Sequence, residues 1–276
     1  MATINGVGVV TSDELAEARI QAHYAAQWLA RVARNFVAPA PDDSHTALSW
    51  DAANQALVTQ PIEGGKGQFC FGLKVADLSF IVITDHANTP VPLRDHNESQ
   101  VEAWVRASLF EQGADRDKAL NFGPLPYELP DHPIASGGTY GDGVDDAALG
   151  ELAAWFDGAA SLFADGPGKE TGASPVRLWP HHFDIATLIS LDDVGGENGR
   201  SVGIGLSPGD ESYGAPYFYV SPWPYPDKNA LADLSAGHWH TEGFTAAILE
   251  ASDVTGGADA GAFLAETVAA CKKVLG

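Results

Sequence analysis

Two stretches decide the fold when read against each other: Phe71-Gly-Leu73 with Ser79-Phe-Ile-Val82, and Ile204-Gly-Leu206 with Tyr217-Phe-Tyr-Val220. Each member is a short run of aromatic and β-branched residues of strand length. The connection Ala76-Asp77 between the first two is short enough to be a turn. Working outward from this pair, Thr46 to Trp50, Gln55 to Ile62, Gln68 to Val75 and Leu78 to Thr84 read as strands of an antiparallel meander punctuated at Gly64-Gly65. Around the second pair, Arg177-Leu-Trp-Pro180, the alternating Phe183 to Leu191, Ser201 to Leu206, Tyr217 to Val220 and one further strand from about His238 to Leu249 form a similar series. Leu48-Ser-Trp50 and Leu178-Trp179 add to the echo.

A helix precedes and follows each series. Leu15, Ala18, Ala22, Ala25, Leu29, Val32 and Phe36 recur at three-four spacing behind a Thr11/Glu14 capping box, and Leu149, Leu152, Phe156, Ala159 and Phe163 do the same later. Asn97 and Gln100 cap a helix carrying Val101, Trp104, Val105 and Ser108, which Gly113 ends; Leu264, Val268, Cys271 and Leu275 mark the last helix. Helix, meander, helix therefore occurs twice. The expectation is an α+β protein of two similar halves, 1–113 and 147–276, each an antiparallel sheet with flanking helices, as an internal duplication leaves. Residues 114–146, rich in Pro, Gly and Asp, read as a linker or lid.

The chain has 276 residues, 45% of them hydrophobic, which supplies a core. Its 37 acids against 15 bases give a net charge of -22, split about -8 and -14 between residues 1–138 and 139–276. That charge disfavours nucleic acid and anionic membrane surfaces as partners. Met1 to Val10 lacks a basic n-region and a small-residue cleavage site, and no apolar run reaches about 18 residues, so a cytoplasmic protein is expected. Cys70 and Cys271 read as buried small hydrophobes.

Residues able to do chemistry collect in the second half: Trp179-Pro-His-His-Phe-Asp184, Ser207-Pro-Gly-Asp-Glu211, Pro216-Tyr-Phe-Tyr-Val-Ser-Pro-Trp223 and Gly237-His-Trp-His-Thr-Glu-Gly-Phe244. Period-two alternation puts His182 and Asp184 on one strand face, and His238, His240 and Glu242 on another. His238 and His240, two apart on a strand, suit a divalent metal such as zinc, with His182 or Asp184 as third ligand and Glu242 as base. The competing reading is an imidazole–carboxylate pair that satisfies buried polar groups. Ser207 to Asp210 is a turn, with Asp210 and Glu211 as candidates for a pocket mouth. Tyr217, Tyr219, Trp223 and Tyr225 form an aromatic stripe that stacks a flat ligand or covers a core edge. Gly6-Val-Gly8 does not continue as a dinucleotide fingerprint, Gly64-Gly-Lys-Gly67 is not a phosphate-binding loop, and there is no G-x-S-x-G elbow.

On Trp179, Pro180, His182, Phe183, Asp184, Ser207, Pro208, Gly209, Asp210, Pro216, Tyr217, Tyr219 and Trp223, the sequence resembles a family of bacterial conserved hypothetical proteins of unassigned function. These carry Trp-Pro-x-His-Phe-Asp, Ser-Pro-Gly-Asp and Glu-Pro-Tyr-x-Tyr segments; here Ala215 replaces the Glu. The resemblance implies kinship and no activity, and it leaves out His238 and His240. The expected site is a small-molecule pocket in the second half lined by His182, Asp184, Asp210, Tyr217, Tyr219, His238 and His240, with Trp179, Glu211 and Trp223 as further ligand contacts. A binding protein and a hydrolase-type enzyme using His182, Asp184 or Glu242 both fit. The alternative is a partner-binding module whose aromatic stripe is an interface.

Overall fold

The computed structural model describes residues 4–85 and 90–276; the start of the Met1 to Val10 segment lies outside them. The chain forms two compact units, one of Asp13–Ala153 with Leu178–Phe183, here called N-terminal, and one of residues 4–12, Ala154–Arg177 and Asp184–Gly276, here called C-terminal.

In the N-terminal unit, helix α1 (Ser12–Phe36) leads to strands β1 (Ser49–Asp51), β2 (Ala56–Val58), β3 (Ile62–Gly64), β4 (Gly67–Lys74), β5 (Ser79–Ile83) and β6 (Val91–Pro92). Their sheet is antiparallel in the order β1-β2-β4-β5-β6, with β3 also paired to β4. Helix α2 (Glu98–Glu111) begins with the expected capping box, in which the Gln100 amide donates to Asn97 Oδ1 at 3.1 Å and the Asn97 amide to Gln100 Oε1 at 2.9 Å. Its Trp104 packs on Phe71 and Phe80, so this sheet face is the apolar one. The burial of α1 exceeds its predicted stripe: Gln21, His23, Tyr24, Gln27 and Trp28 are buried as well. The Pro/Gly-rich stretch belongs to this unit, contributing helix α3 (Arg116–Leu120) and the buried Ile134 and Tyr140.

Helix α4 (Asp146–Asp165) precedes β7 (Arg177–Trp179), β8 (Asp184–Ser190), β9 (Ser201–Ser207), β10 (Tyr217–Trp223), β11 (His238–His240), β12 (Ala246–Glu250), α5 (Ala251–Thr255) and α6 (Ala260–Leu275). The second antiparallel sheet has the order β11-β12-β10-β9-β8-β7. Phe218 packs edge-on to Trp155 and Phe163 of α4, and α6 packs on β9, β10 and β12. The segment expected as one strand from His238 to Leu249 is two, because the chain bends after His240 and passes through Gly243 at φ 82°. Among the described residues no helix is long and apolar enough to cross a membrane.

The protein is thus α+β with two similar halves, and the likeness extends to strand register. Phe71, Gly72 and Leu73 face Val82, Ile81 and Phe80; Ile204, Gly205 and Leu206 face Val220, Tyr219 and Phe218. One strand further, Val58 and Leu57 face Gly72 and Leu73 as Ala186 and Ile185 face Gly205 and Leu206. The Leu48/Leu178 echo resolves differently, since those two residues pair with each other through reciprocal hydrogen bonds of 2.9 and 2.8 Å.

Both glycines make room for the side chain opposite. A Cβ at Gly72 would meet Ile81 Cγ1 at 2.7 Å, and one at Gly205 would meet the Tyr219 hydroxyl at 2.3 Å. Gly205→Ala should therefore displace Tyr219 and lower stability by about 1–3 kcal/mol, as overpacking does. Urea unfolding checks this; an unchanged midpoint would show that the ring moves without cost.

Candidate functional site

Period-two alternation divides the C-terminal sheet into two faces. Ile185, Leu206, Phe218 and Leu249 line the buried apolar face toward the helices, while Asp184, Ser207, Tyr217, Tyr219 and Ile248 share the opposite one. Tyr219 Oη donates a short hydrogen bond to Asp184 Oδ2, and Tyr217 Oη donates to Asp210 Oδ2 at 2.5 Å. Asp210 is a hub. Its Oδ1 accepts the amides of Ser212 (2.8 Å) and Tyr213 (3.0 Å), and its Oδ2 also accepts the Ser207 hydroxyl at 3.4 Å. This is the turn chemistry expected of Ser207 to Asp210, and it uses every lone-pair direction of the carboxylate. Glu211 is exposed beside it.

The same turn places Tyr213, which the sequence reading missed. Its ring lies 4.8 Å from Tyr217, and its hydroxyl is 3.0 Å from both His238 Nε2 and His240 Nδ1. Proton positions follow from one fixed point. His240 Nε2 lies 2.7 Å from the Glu242 carbonyl, which only accepts, so Nε2 carries the hydrogen. In the neutral ring Nδ1 then accepts from Tyr213, and the phenol oxygen accepts from His238 Nε2–H. His238 and His240 do share a face, as predicted, but both ring nitrogens of His240 are engaged within the protein. β11 is separated from β8 by β12, β10 and β9, so Asp184 is not a third ligand from a neighbouring strand. Among the described residues no group of three or more His, Cys, Asp or Glu is arranged to hold a metal. Glu242 lies beyond the end of β11 rather than on its face; it is exposed and contributes its carbonyl.

All three phenols are held as donors. Burial, then the Asp184 charge and hydrogen bond, push Tyr219 well above the ordinary phenol range; burial and the bond to Asp210 raise Tyr217; burial, Glu250 and Asp210 raise Tyr213. Near neutral pH the face presents phenol donors and occupied acceptors.

His182 is not on a strand with Asp184. Pro180 to Phe183 form a turn that the Phe183 amide closes onto the Trp179 carbonyl at 2.7 Å, and Phe183 has φ 59°, so the alternation counted through it does not hold. Within the N-terminal unit, the Pro180 carbonyl accepts from His23 Nε2 (2.7 Å) and Gln27 Nε2 (2.9 Å), and Tyr127 Oη donates to Gln27 Oε1 at 2.7 Å. The buried Phe183 ring stacks on His23 at 4.9 Å. His181 and His182 point out of this turn and are exposed, with the Trp179 ring edge-on to His181 at 6.1 Å. Trp223, at the end of β10, is 37% exposed and edge-on to Tyr225.

No protein-family model, curated protein or solved structure matches the chain. The internal comparison between halves is therefore the informative one. In matching register, Asp184, Tyr217 and Tyr219 stand where the first half has Ala56, Ser79 and Ile81.

Two outcomes follow. Tyr219→Phe removes a charge-assisted hydrogen bond and should cost about 1.5–3 kcal/mol in urea unfolding, against less than 1 kcal/mol if the bond contributes nothing. Burial pulls His23 down to about 4 from 6.5. The folded state therefore binds fewer protons than the unfolded one, and its contribution is present above pH 6.5 and lost as pH falls toward 4. Between pH 7 and 4 the wild type should lose about 3 kcal/mol more stability than His23→Gln; equal losses would place the acid sensitivity elsewhere.

Proposed function

We propose that the protein binds a small hydroxylated molecule, neutral or cationic, at the Asp184–Tyr219–Tyr217–Asp210 face, and that this face recognises its ligand without transforming it. One observation carries the reading. The same three-strand register in the first half is built with Ala56, Ser79 and Ile81, so the fold does not require the carboxylate and two phenols of Asp184, Tyr217 and Tyr219 at those positions. Phenols held protonated and carboxylates already accepting hydrogen bonds suit orientation of a ligand better than proton abstraction or nucleophilic attack. The acid excess of the second half selects against anionic ligands. The free thiols Cys70 and Cys271 are in keeping with a reducing, cytoplasmic setting.

A second reading, a partner-binding surface, rests on the exposed edge-on pair Trp223 and Tyr225. It predicts that Trp223→Ala changes elution on a sizing column, whereas the ligand reading predicts no change.

A thermal-shift panel of neutral and amino sugars, polyols and nucleosides tests the main proposal. A ligand at about 100 times its Kd should raise the wild-type melting temperature by about 5 °C or more, and Tyr217→Phe/Tyr219→Phe should remain folded and lose that shift. Equal shifts in both proteins, or no shift with any member, would contradict it.

A further inference from the structure

The turn that presents His181 and His182 is more heavily braced than a hairpin needs. Its counterpart in the first half, Ala52-Ala-Asn-Gln55 between β1 and β2, has the same length and also closes on a left-handed residue, Gln55 at φ 50°. There contacts local to the turn secure it: Asp51 accepts the Ala53 and Asn54 amides at 2.9 and 3.2 Å and the Asn54 side chain at 2.7 Å, and Gln55 Nε2 donates to the Ala52 carbonyl at 3.0 Å. In the second turn the left-handed position is filled by Phe183, a bulky residue for which that conformation is a strained outlier. Two donors on the Pro180 carbonyl and the Phe183 ring stacked on His23 hold it in place.

What the brace presents is two imidazoles with open valences. Among the described residues, every other histidine has a ring nitrogen in a hydrogen bond: His23, His45, His96, His132, His238 and His240. Among the described residues His181 and His182 have no hydrogen-bond partner, and their ring centroids are 4.3 Å apart at 62°. At a metal–nitrogen distance of about 2.0–2.1 Å, an imidazole centroid stands about 3.2 Å from its ion, so two rings bound at right angles have centroids about 4.5 Å apart.

We infer that His181 and His182 form a two-imidazole site for a borderline transition-metal cation of the Cu2+, Ni2+ or Zn2+ class, with the remaining coordination positions taken by water or by a ligand the ion carries. Imidazole pairs suit these ions and discriminate against Mg2+ and Ca2+. The protein supplies two ligands only, in accord with the lack of any three-residue ligand group among the described residues. This site shares no residue with the face proposed to bind a hydroxylated ligand, so either proposal fails without the other.

Titration calorimetry of the untagged full chain with CuCl2, in excess Mg2+ to occupy adventitious carboxylates, provides the test. One equivalent should bind, with an electron paramagnetic resonance spectrum showing imidazole nitrogens. His181→Gln and His182→Gln should each weaken binding roughly tenfold or more. The double variant should abolish it at an unchanged melting temperature, and His238→Gln should bind as wild type. Equal binding by the wild type and the folded double variant, or no stoichiometric binding in Mg2+, would overturn the assignment.

Discussion

The contact between Gly205 and Tyr219 sets the terms for the C-terminal sheet. A tyrosine lies across a strand only where the residue opposite lacks a Cβ, so β9 and β10 pair in the register that puts Gly205 under the ring. Gly72 under Ile81 imposes the same register on β4 and β5. Because side chains alternate with period two, a slip of one residue would send every apolar group to the wrong face. Matching registers therefore make the halves comparable residue by residue. Leu73 and Phe80 correspond to Leu206 and Phe218 on the apolar face, and Ala56 and Ile81 to Asp184 and Tyr219 on the other. One face is constrained by the core in both halves; the other has diverged.

That divergence has energetic consequences. A phenol–carboxylate pair is strong when complete, and removing one partner costs far more than exchanging both for apolar groups of similar shape. The second half has taken the polar option repeatedly, at Tyr219 with Asp184 and at Tyr217 with Asp210. Phenol donors, with backbone amides at Asp210, hold both carboxylates.

Most of the framework was legible in the sequence because it rests on apolar periodicity: the α4 stripe from Leu149 to Phe163, the Asn97/Gln100 cap and the echoing strand pairs all took the form expected. Alternation misled where the chain left the strand without a visible signal. Phe183 occupies a left-handed turn position that ordinarily goes to Gly or Asn, so His182 and Asp184 were counted onto one face that does not exist. At His238 to Leu249 a signal was present in Gly243, and it marks the bend that separates β11 from β12 and removes Glu242 from the histidine face. Tyr213 escaped because a loop residue joins a site only through the turn that aims it; its place three residues after Asp210, whose carboxylate holds its amide, was the available clue.

The most direct measurement is the stability and ligand response of a protein whose polar face is rebuilt with its first-half counterparts, Asp184→Ala/Tyr217→Ser/Tyr219→Ile. If that face serves recognition, this variant unfolds cooperatively with stability within about 2 kcal/mol of the wild type, since both partners of the Asp184–Tyr219 pair are removed together, and it no longer responds to the ligands that stabilise the wild type. Failure to fold, or a retained ligand response, would show that these residues serve the C-terminal unit as structure alone.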